Sequence, residues 1–244
     1  MYKQLLATIV FGVSTLAGAQ SLHVYGAGGP LAPLKECAEA FTNQTQVSVE
    51  VTAGPESKWF AKAQGDADVV YGGAEYMLTQ FDQQHPGFLQ LGSRSELYRR
   101  AIGILVRKHN PKHIHVLADL TKPGIKILDV NGAGQLGVWE DLAGRQGLIA
   151  SMQEHIGVSV ENSAQGIKQW NEDPTLDAWI TYASWQKRLV ETTDLIALPP
   201  NNSLYRGTPI AIASRSTQRA AAAAFIQFLY SAQAHAIFVK WGWK

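Results

Sequence analysis

The chain has 244 residues, of which 21 are basic and 20 acidic, so its formal net charge is +1 with neutral histidines. Such a balance provides no basic surface for nucleic acid or for an anionic membrane face. The length suffices for one large domain or for two lobes with hydrophobic cores. The single cysteine, Cys37, allows no internal disulfide and is expected to be a buried structural thiol, because free cysteine behaves as a small hydrophobic side chain.

The first residues have the pattern of a secretory signal peptide. A basic start at Lys3 precedes a mostly apolar segment at 5–16, and Ala17, Gly18 and Ala19 fit a cleavage site. The apolar segment is too short to span a membrane and no stop-transfer segment follows, so no stable membrane insertion is expected. The pattern predicts a periplasmic protein that is cleaved near Ala19, with residues 1–19 removed and the charges of the remaining chain balanced.

Predicted strands and helices alternate after the signal peptide, which indicates α/β architecture with largely parallel sheets. The pattern gives strands or extended segments at 21–25, 47–52, 68–71, 99–107, 125–130, 179–185, 195–198 and 204–213. It gives helices at about 30–42, 56–64, from 75, from 138, at 164–171 and over 218–241. The last helical segment contains an alanine run, which favours helix intrinsically.

Two clusters of elements are joined by two long extended segments, at 99–107 and 204–213. This arrangement predicts two α/β lobes, with the chain crossing between them twice at a hinge. Lobe 1 would comprise residues 20–100 together with 207–244, and lobe 2 would comprise residues 101–206.

The segment "HVYGAGGPLAP" places a glycine-rich turn between the first strand and the first helix. Gly26 and Gly28 fit the first two positions of the dinucleotide fingerprint G-x-G-x-x-G, but Leu31 stands at the third, and a secreted protein rarely meets free dinucleotide. No G-K-[S/T] follows, so the turn is not a P-loop either. It remains either a turn whose backbone N–H groups bind an anion at a helix N-terminus or a turn without a ligand.

Strand–glycine–helix loops occur four times, which favours the anion interpretation. Ligands in open α/β sheets bind beyond the carboxyl ends of the strands, so all four loops could line one cleft. Three belong to lobe 1 and one to lobe 2: they are "GAGGP" (26–30), "AGPESK" (53–58), "YGGAE" (71–75) and "NGAGQLG" (131–137).

Backbone groups alone cannot explain tight binding. A helix end contributes at best about 2 kcal/mol, whereas micromolar affinity requires about 8 kcal/mol. Side-chain donors must therefore contribute, and the candidates in or beside the loops are Ser57, Lys58 and Gln135. Arg99 and Arg206 stand where the chain crosses between lobes and could bind an oxyanion with two hydrogen bonds, although a salt bridge within the protein is an equally good role for each.

Other functional classes find little support. His109, His113 and His115 lack a zinc motif and flank Pro111, so they are expected in a surface loop rather than a metal site. No serine-hydrolase motif is present. Glu140 and Asp141 are interpreted as negative charges that interact favourably with the first turn of a helix, and not as an acid–base pair. No catalytic residue, metal or cofactor is predicted, and the protein is not expected to be an enzyme. The tryptophans are expected in the core, with a carbohydrate cleft as an alternative.

Several segments together resemble the accessory colonization factor AcfC family. They are "LHVYGAGGP", "AGPESKWFAKAQGDADVVYGGAE", "NGAGQLGVWEDLAGR", "DAWITYASW", "LYRGTPIAIA" and "FVKWGWK". The resemblance covers nearly the whole mature chain. That family lies within the type II periplasmic solute-binding proteins, distantly similar to molybdate- and sulfate-binding proteins, and so implies a two-lobed fold that closes on a small oxyanion or carboxylate.

The resemblance also implies site residues and partners. The matching ligand contacts would be Gly28, Gly29, Ser57, Lys58, Gly73 and Ala74 in lobe 1, Gly134, Gln135, Leu136 and Gly137 in lobe 2, and Tyr205 with Arg206 on the crossing strand. The ligand would be sulfate, a phosphate ester or a citrate-like acid, for delivery to an ABC permease or a chemoreceptor; some relatives are dimeric. A surface antigen or adhesin with a vestigial cleft is the alternative. Only Gln135 and Leu136 separate the G-A-G from the G-V-W-E-D, whereas several relatives have a longer Ser/Thr-rich loop there.

Overall fold

The computed structural model describes residues 21–244, so the predicted signal peptide lies outside the described residues. The strands in chain order are β1 (Ser21–Gly26), β2 (Ser48–Ala53), β3 (Val69–Tyr71), β4 (Ser95–Glu96), β5 (Arg100–Arg107), β6 (Ile127–Val130), β7 (Ile156–Val160), β8 (Ala178–Tyr182), β9 (Thr193–Ala197), β10 (Tyr205–Arg206) and β11 (Pro209–Ile212). The α-helices are α1 (Leu31–Thr45), α2 (Phe60–Asp66), α3 (Glu75–Gln84), α4 (Val138–Gly144), α5 (Ile149–Gln153), α6 (Ser163–Glu172), α7 (Arg219–Leu229) and α8 (Ala232–Lys240).

The strands form two mixed sheets. The first has the order β2-β1-β3-β11-β4, and the second has the order β10-β5-β8-β6-β7 with β9 also paired to β5. In the first sheet β1 runs parallel to both β2 and β3, and in the second β6 runs parallel to β7 and β8. We call the part built on the first sheet lobe 1 and the part built on the second sheet lobe 2.

Side-chain periodicity explains how the elements of lobe 1 pack. Leu34, Cys37, Ala38 and Phe41 recur at helical spacing on α1 and are buried against one face of the first sheet, together with α7 and α8. Alternate residues of the strands face the opposite side, where α2 and α3 cover them. Lobe 2 has a separate core, in which β5, β6 and β8 pack against α4, α5 and α6.

The chain passes between the sheets twice. It leaves the first sheet after β4 and enters the second at β5, and it returns between β10 and β11 through Gly207 and Thr208. The C-terminal residues join this hinge: Lys244 and Arg99 exchange two backbone hydrogen bonds, and the Trp243 indole donates to the Thr208 hydroxyl over 3.2 Å. The fold is the two-sheet, two-lobe α/β architecture that the sequence predicts; the lobe boundaries given above stay a prediction.

Three predicted elements differ in detail. The helix predicted at 56–64 is a 3₁₀ turn, Glu56–Lys58, followed by α2. The extended segment at 204–213 is divided into β10 and β11 by the crossing itself. The helical segment at 218–241 is divided at Ser231, whose hydroxyl accepts a hydrogen bond from the Ala234 N–H at the start of α8. The helix α5 and the strands β4 and β7 have no counterpart in the prediction.

Among residues 21–244 no single helix is both long and apolar enough to cross a membrane. Only α7 and α8 taken together reach that length and composition, and they are bent by 63° at their junction. Their apolar side chains belong to the lobe 1 core.

We expect the Cys37 thiol to be inert in the folded protein. The residue is buried, as predicted, and burial raises the pKa of its thiol to about 12, so on the order of a thousandth of the normal thiolate fraction is available as nucleophile. Titration with a disulfide reagent at pH 8 should show slow reaction of native protein and rapid reaction of one thiol in guanidinium chloride. Fast stoichiometric reaction of the native protein would contradict the buried position.

Candidate functional site

Three of the four glycine loops meet where the lobes touch. The loops after β1 and β3 lie side by side, because these strands are parallel with Gly26 opposite Tyr71. The loop after β6 approaches them from lobe 2. Gly134 in that loop has φ +91° and lies so close to lobe 1 that an added Cβ would be 3.2 Å from the Gly73 carbonyl carbon and oxygen. The two lobes are therefore in direct contact through glycine backbone.

The central side chain at this junction is Arg100, the first residue of β5. It is 1% exposed, yet its guanidinium forms no ion pair with any carboxylate among residues 21–244. Its Nη2 donates to the Gly73 carbonyl, and its Nε has no hydrogen-bond partner within the same residues. Arg100 is thus a buried charge that the described chain does not neutralise.

Aromatic rings and a glycine fix the position of this guanidinium. Its central carbon lies 3.5 Å from the ring centroid of Tyr182 and 5.0 Å from that of Trp243. A Cβ added at Gly29 would be 2.6 Å from the Arg100 Nη1, so the glycine loop after β1 makes room for the arginine. Cation–π contacts of a desolvated arginine contribute about 2 kcal/mol, and they hold the guanidinium in place at the junction.

Burial lowers the pKa of Arg100, and the nearby Tyr182 and Glu75 oppose that shift. A guanidinium nevertheless keeps its proton in proteins. Arg100 therefore stays charged, and its burial costs free energy because the charged group loses its contact with water. Glu75 is beyond ion-pair distance, and its Oε1 accepts a hydrogen bond from the Gly207 N–H at the hinge. An anion beside Arg100 would offset the desolvation of the guanidinium.

Free backbone donors surround the arginine. The N–H groups of Gly28, Gly29, Gly73 and Ala74 donate no hydrogen bond to any other group of residues 21–244. They precede the first turns of α1 and α3, where the helix dipole also favours negative charge. Gly73 and Ala74 are buried and Gly28 and Gly29 are half-buried, so the two buried donors in particular lack the acceptor that such groups normally have.

Two tyrosines link the lobes. The Tyr76 hydroxyl, on α3 of lobe 1, accepts hydrogen bonds from the N–H groups of Gly134 and Leu136 in lobe 2, over 3.1 and 3.3 Å. The Tyr182 hydroxyl lies 3.2 Å from the Gly73 carbonyl and also donates to the Gly134 carbonyl. The Tyr76 hydroxyl of lobe 1 therefore serves as the acceptor for two backbone N–H groups of the lobe 2 loop.

The remaining loop residues of the predicted site have other environments. Ser57 and Lys58 are exposed on the 3₁₀ turn and lie outside the junction. Gln135 is 2% exposed, but its amide is used inside lobe 2, where it donates to Ser163 and accepts from Thr181. Leu136 contributes its backbone N–H while half of its side chain is exposed, and Gly137, with φ +69°, begins α4.

The predicted residues of the crossing strands also differ among themselves. Arg99 is exposed, and it contributes to the hinge only through its backbone hydrogen bonds to Lys244. Arg206 forms an ion pair with Asp141 over 3.2 Å, although its buried Nε has no partner among residues 21–244. Tyr205 pairs with Ala101, and its hydroxyl accepts a hydrogen bond from the Lys244 ammonium. The arginine at the junction is thus Arg100, one residue from the predicted Arg99.

Residues that the sequence analysis missed are Arg100, Tyr76, Tyr182 and Trp243. The signal that could have found Arg100 is the pair of arginines at the start of a strand, since successive strand residues face opposite sides. For the three aromatic residues, the sequence predicts burial but indicates no role at the lobe junction.

The rejected motifs lie elsewhere. His109, His113 and His115 are exposed in the loop after β5, as expected. Within the part of the chain that the structure describes, no three His, Cys, Asp or Glu side chains are grouped so that they could hold a metal ion. Glu140 and Asp141 lie in the first turn of α4, also as expected.

This geometry agrees with the family to which the chain can be assigned. Residues 22–244 match the model of the family described as bacterial extracellular solute-binding protein, and the chain belongs to that family. Its members bind solutes and are not enzymes. A curated sulfate-binding protein from Synechococcus elongatus is 26% identical over 203 residues, which cover 73% of this chain. The chain spans 57% of the length of that relative.

Solved structures give closer matches. Peb3 from Campylobacter jejuni is 30% identical with a TM-score of 0.83, and the match covers 91% of this chain and 99% of Peb3. A structure of PEB3 with L-phospholactate bound is 31% identical with a TM-score of 0.85 and the same coverage. The periplasmic molybdate-binding protein of Azotobacter vinelandii, at 20% identity and a TM-score of 0.70 over 91% of this chain and 98% of that one, shares the fold.

We predict that Gly29→Ala destabilises the protein by about 1–3 kcal/mol, because its Cβ would push against a guanidinium held between two rings. Gly28→Ala is the matched control: nothing lies within 4 Å of its added Cβ, so the free energy of unfolding should change by less than about 0.5 kcal/mol. Urea denaturation measures both. Equal effects of the two substitutions would contradict the close approach of Arg100 to Gly29.

We predict that Tyr76→Phe loosens the lobe junction. Loss of the hydroxyl leaves two N–H groups of the lobe 2 loop without an acceptor and should lower the free energy of unfolding by about 1–3 kcal/mol. Hydrogen exchange at the Gly134 and Leu136 amides should also become faster. Tyr230→Phe, whose hydroxyl bonds to the Glu96 carbonyl within lobe 1, should leave these two amides unchanged.

Proposed function

We propose that this protein captures a small oxyanion or carboxylate between its two lobes and hands it, unaltered, to a transporter or a chemoreceptor. The observation that carries the proposal is Arg100, a buried guanidinium at the lobe junction with no carboxylate partner among residues 21–244. An anion is the missing partner that its environment requires, since an unpaired buried charge is strongly destabilising.

The ligand would lie between Arg100 and the free N–H groups of the two glycine loops in lobe 1. Gly28, Gly29, Gly73 and Ala74 supply these donors, and hydrogen bonds to a charged group contribute roughly 1.5–3 kcal/mol each. Bidentate contact from the arginine adds geometric selectivity for sulfate, phosphate or carboxylate oxygens. Together these terms reach the roughly 8 kcal/mol of a micromolar ligand, which helix ends alone do not.

Lobe 2 would contribute backbone N–H groups to the proposed site. Displacement of the Tyr76 oxygen would free the N–H groups of Gly134 and Leu136 for the ligand. The ion pair between Arg206 and Asp141 holds the crossing strand against α4 of the same lobe. In this proposal Ser57, Lys58, Gln135 and Arg99 make no direct contact with the ligand.

The relatives support the class of ligand. The similar proteins are described as binding sulfate, molybdate or L-phospholactate, all of which are small anions. Phosphate esters and citrate-like acids share the same oxygen chemistry. Within the solute-binding family we assign the chain to the AcfC-like members, located in the periplasm after cleavage near Ala19, with an ABC permease or a chemoreceptor as partner and a homodimer as the oligomeric state to be tested.

A thermal-shift screen with sulfate, molybdate, phosphate, L-phospholactate and citrate tests the proposal. Ligand at a hundred times its Kd adds about 2.7 kcal/mol of stability, or roughly 5–10 °C in Tm for a protein of this size. We expect at least one anion to give such a shift, and we expect Arg100→Gln to abolish it.

Arg99→Gln is the matched control, because it removes the same charge from the adjacent, exposed position. It should bind the anion within about threefold of the wild-type affinity. An anion that stabilises the wild type and Arg100→Gln equally would exclude the proposed site. The absence of a shift with every anion would argue for the surface-antigen alternative.

A further inference from the structure

A cationic groove lies beside the lobe junction, outside the site of Arg100. Its volume is about 440 Å³, within the size range of sites for small organic ligands. The lining residues come from α1, from the 3₁₀ turn Ala183–Arg188 and from the segment after α8: they are Leu31, Ala32, Lys35, Lys187, Arg188 and Trp241. Both lobes therefore form the groove, and it exists only when they are arranged as in this structure.

The three basic side chains of the groove are not neutralised. Lys35, Lys187 and Arg188 are exposed, and none of them forms an ion pair with a carboxylate of the described chain, residues 21–244. Many other basic residues differ in this respect, for example Lys62, Lys126 and Lys240, which do pair with acids. The first turn of α1 also carries no acidic residue.

The acid adjacent to Lys35 is held by other partners. Glu36, next to Lys35, accepts from the Lys240 ammonium over 2.8 Å and from the Trp241 indole N–H over 2.8 Å. The same bond fixes the Trp241 ring as an apolar wall of the groove. On the opposite side the Arg188 guanidinium lies 4.7 Å from the ring centroid of Trp185, which orients it by a cation–π contact.

We propose that this groove is a second anion-binding site, for a small organic anion with two or more negative groups. Three unpaired cations from two lobes suit a ligand with several anionic groups better than a ligand with a single one. The Trp241 ring, with Leu31 and Ala32, offers an apolar surface for the organic skeleton of such a ligand. Because both lobes contribute charge, occupation of the groove favours the arrangement of the lobes in this structure. The site is separate from the one at Arg100, so either can exist without the other.

Calorimetric titration with benzene-1,3,5-tricarboxylate, at an ionic strength of about 0.15 M, tests the proposal. We expect the triple variant Lys35→Gln/Lys187→Gln/Arg188→Gln to bind this probe at least tenfold more weakly than the wild type. Lys35→Gln alone and the pair Lys187→Gln/Arg188→Gln should each weaken binding at least threefold. Benzoate, with one charge, should bind the wild type at least tenfold more weakly than the probe.

The control variant Lys168→Gln/Arg215→Gln/Arg219→Gln removes the same charge from exposed positions that do not line the groove. It should keep the wild-type affinity within threefold. Probe affinity of the groove variant within twofold of wild type, or equal loss in the charge control, would overturn the proposal.

Discussion

The burial of one guanidinium at the hinge determines much of this structure. An arginine that is 1% exposed needs acceptors and polarisable surfaces in place of water, and it finds the Gly73 carbonyl and the rings of Tyr182 and Trp243. These groups come from three distant parts of the chain. The position of Arg100 therefore depends on both lobes and on the C-terminal segment, and this one charge connects the hinge to the proposed ligand.

The contact between the lobes is made largely by backbone, which explains the glycines. A Cβ on Gly134 would lie 3.2 Å from the Gly73 carbonyl, a tight contact, and the φ of Gly134 is one that glycine adopts without strain. The lobe 2 loop is short and carries no Ser or Thr, and its N–H groups bind the Tyr76 hydroxyl instead. A tyrosine of lobe 1 thus supplies the acceptor for both of these N–H groups.

The fold could be predicted from the sequence because its signals are local. A strand that ends in glycine and leads into an amphipathic helix is visible within about fifteen residues, and the loops at Gly28, Gly73 and Gly134 were identified in this way. The site depends on longer distances. Tyr76 and Gly134 are 58 positions apart, and whether Arg99 or Arg100 faces inward depends on the register of β5 against β8. Ser57 and Lys58 follow a glycine loop of the same kind, but the 3₁₀ turn leaves them exposed.

Trp243 gives the protein an optical property that follows from its position. Its indole is buried, donates to Thr208 at the crossing and lies beside the Arg100 guanidinium. The emission of an indole responds to the charge and the water around it, so a change in the separation of the lobes would change the fluorescence of this residue. The molecule therefore carries at its own hinge one of its seven tryptophans, and the emission of this indole would respond to any change in the separation of the lobes.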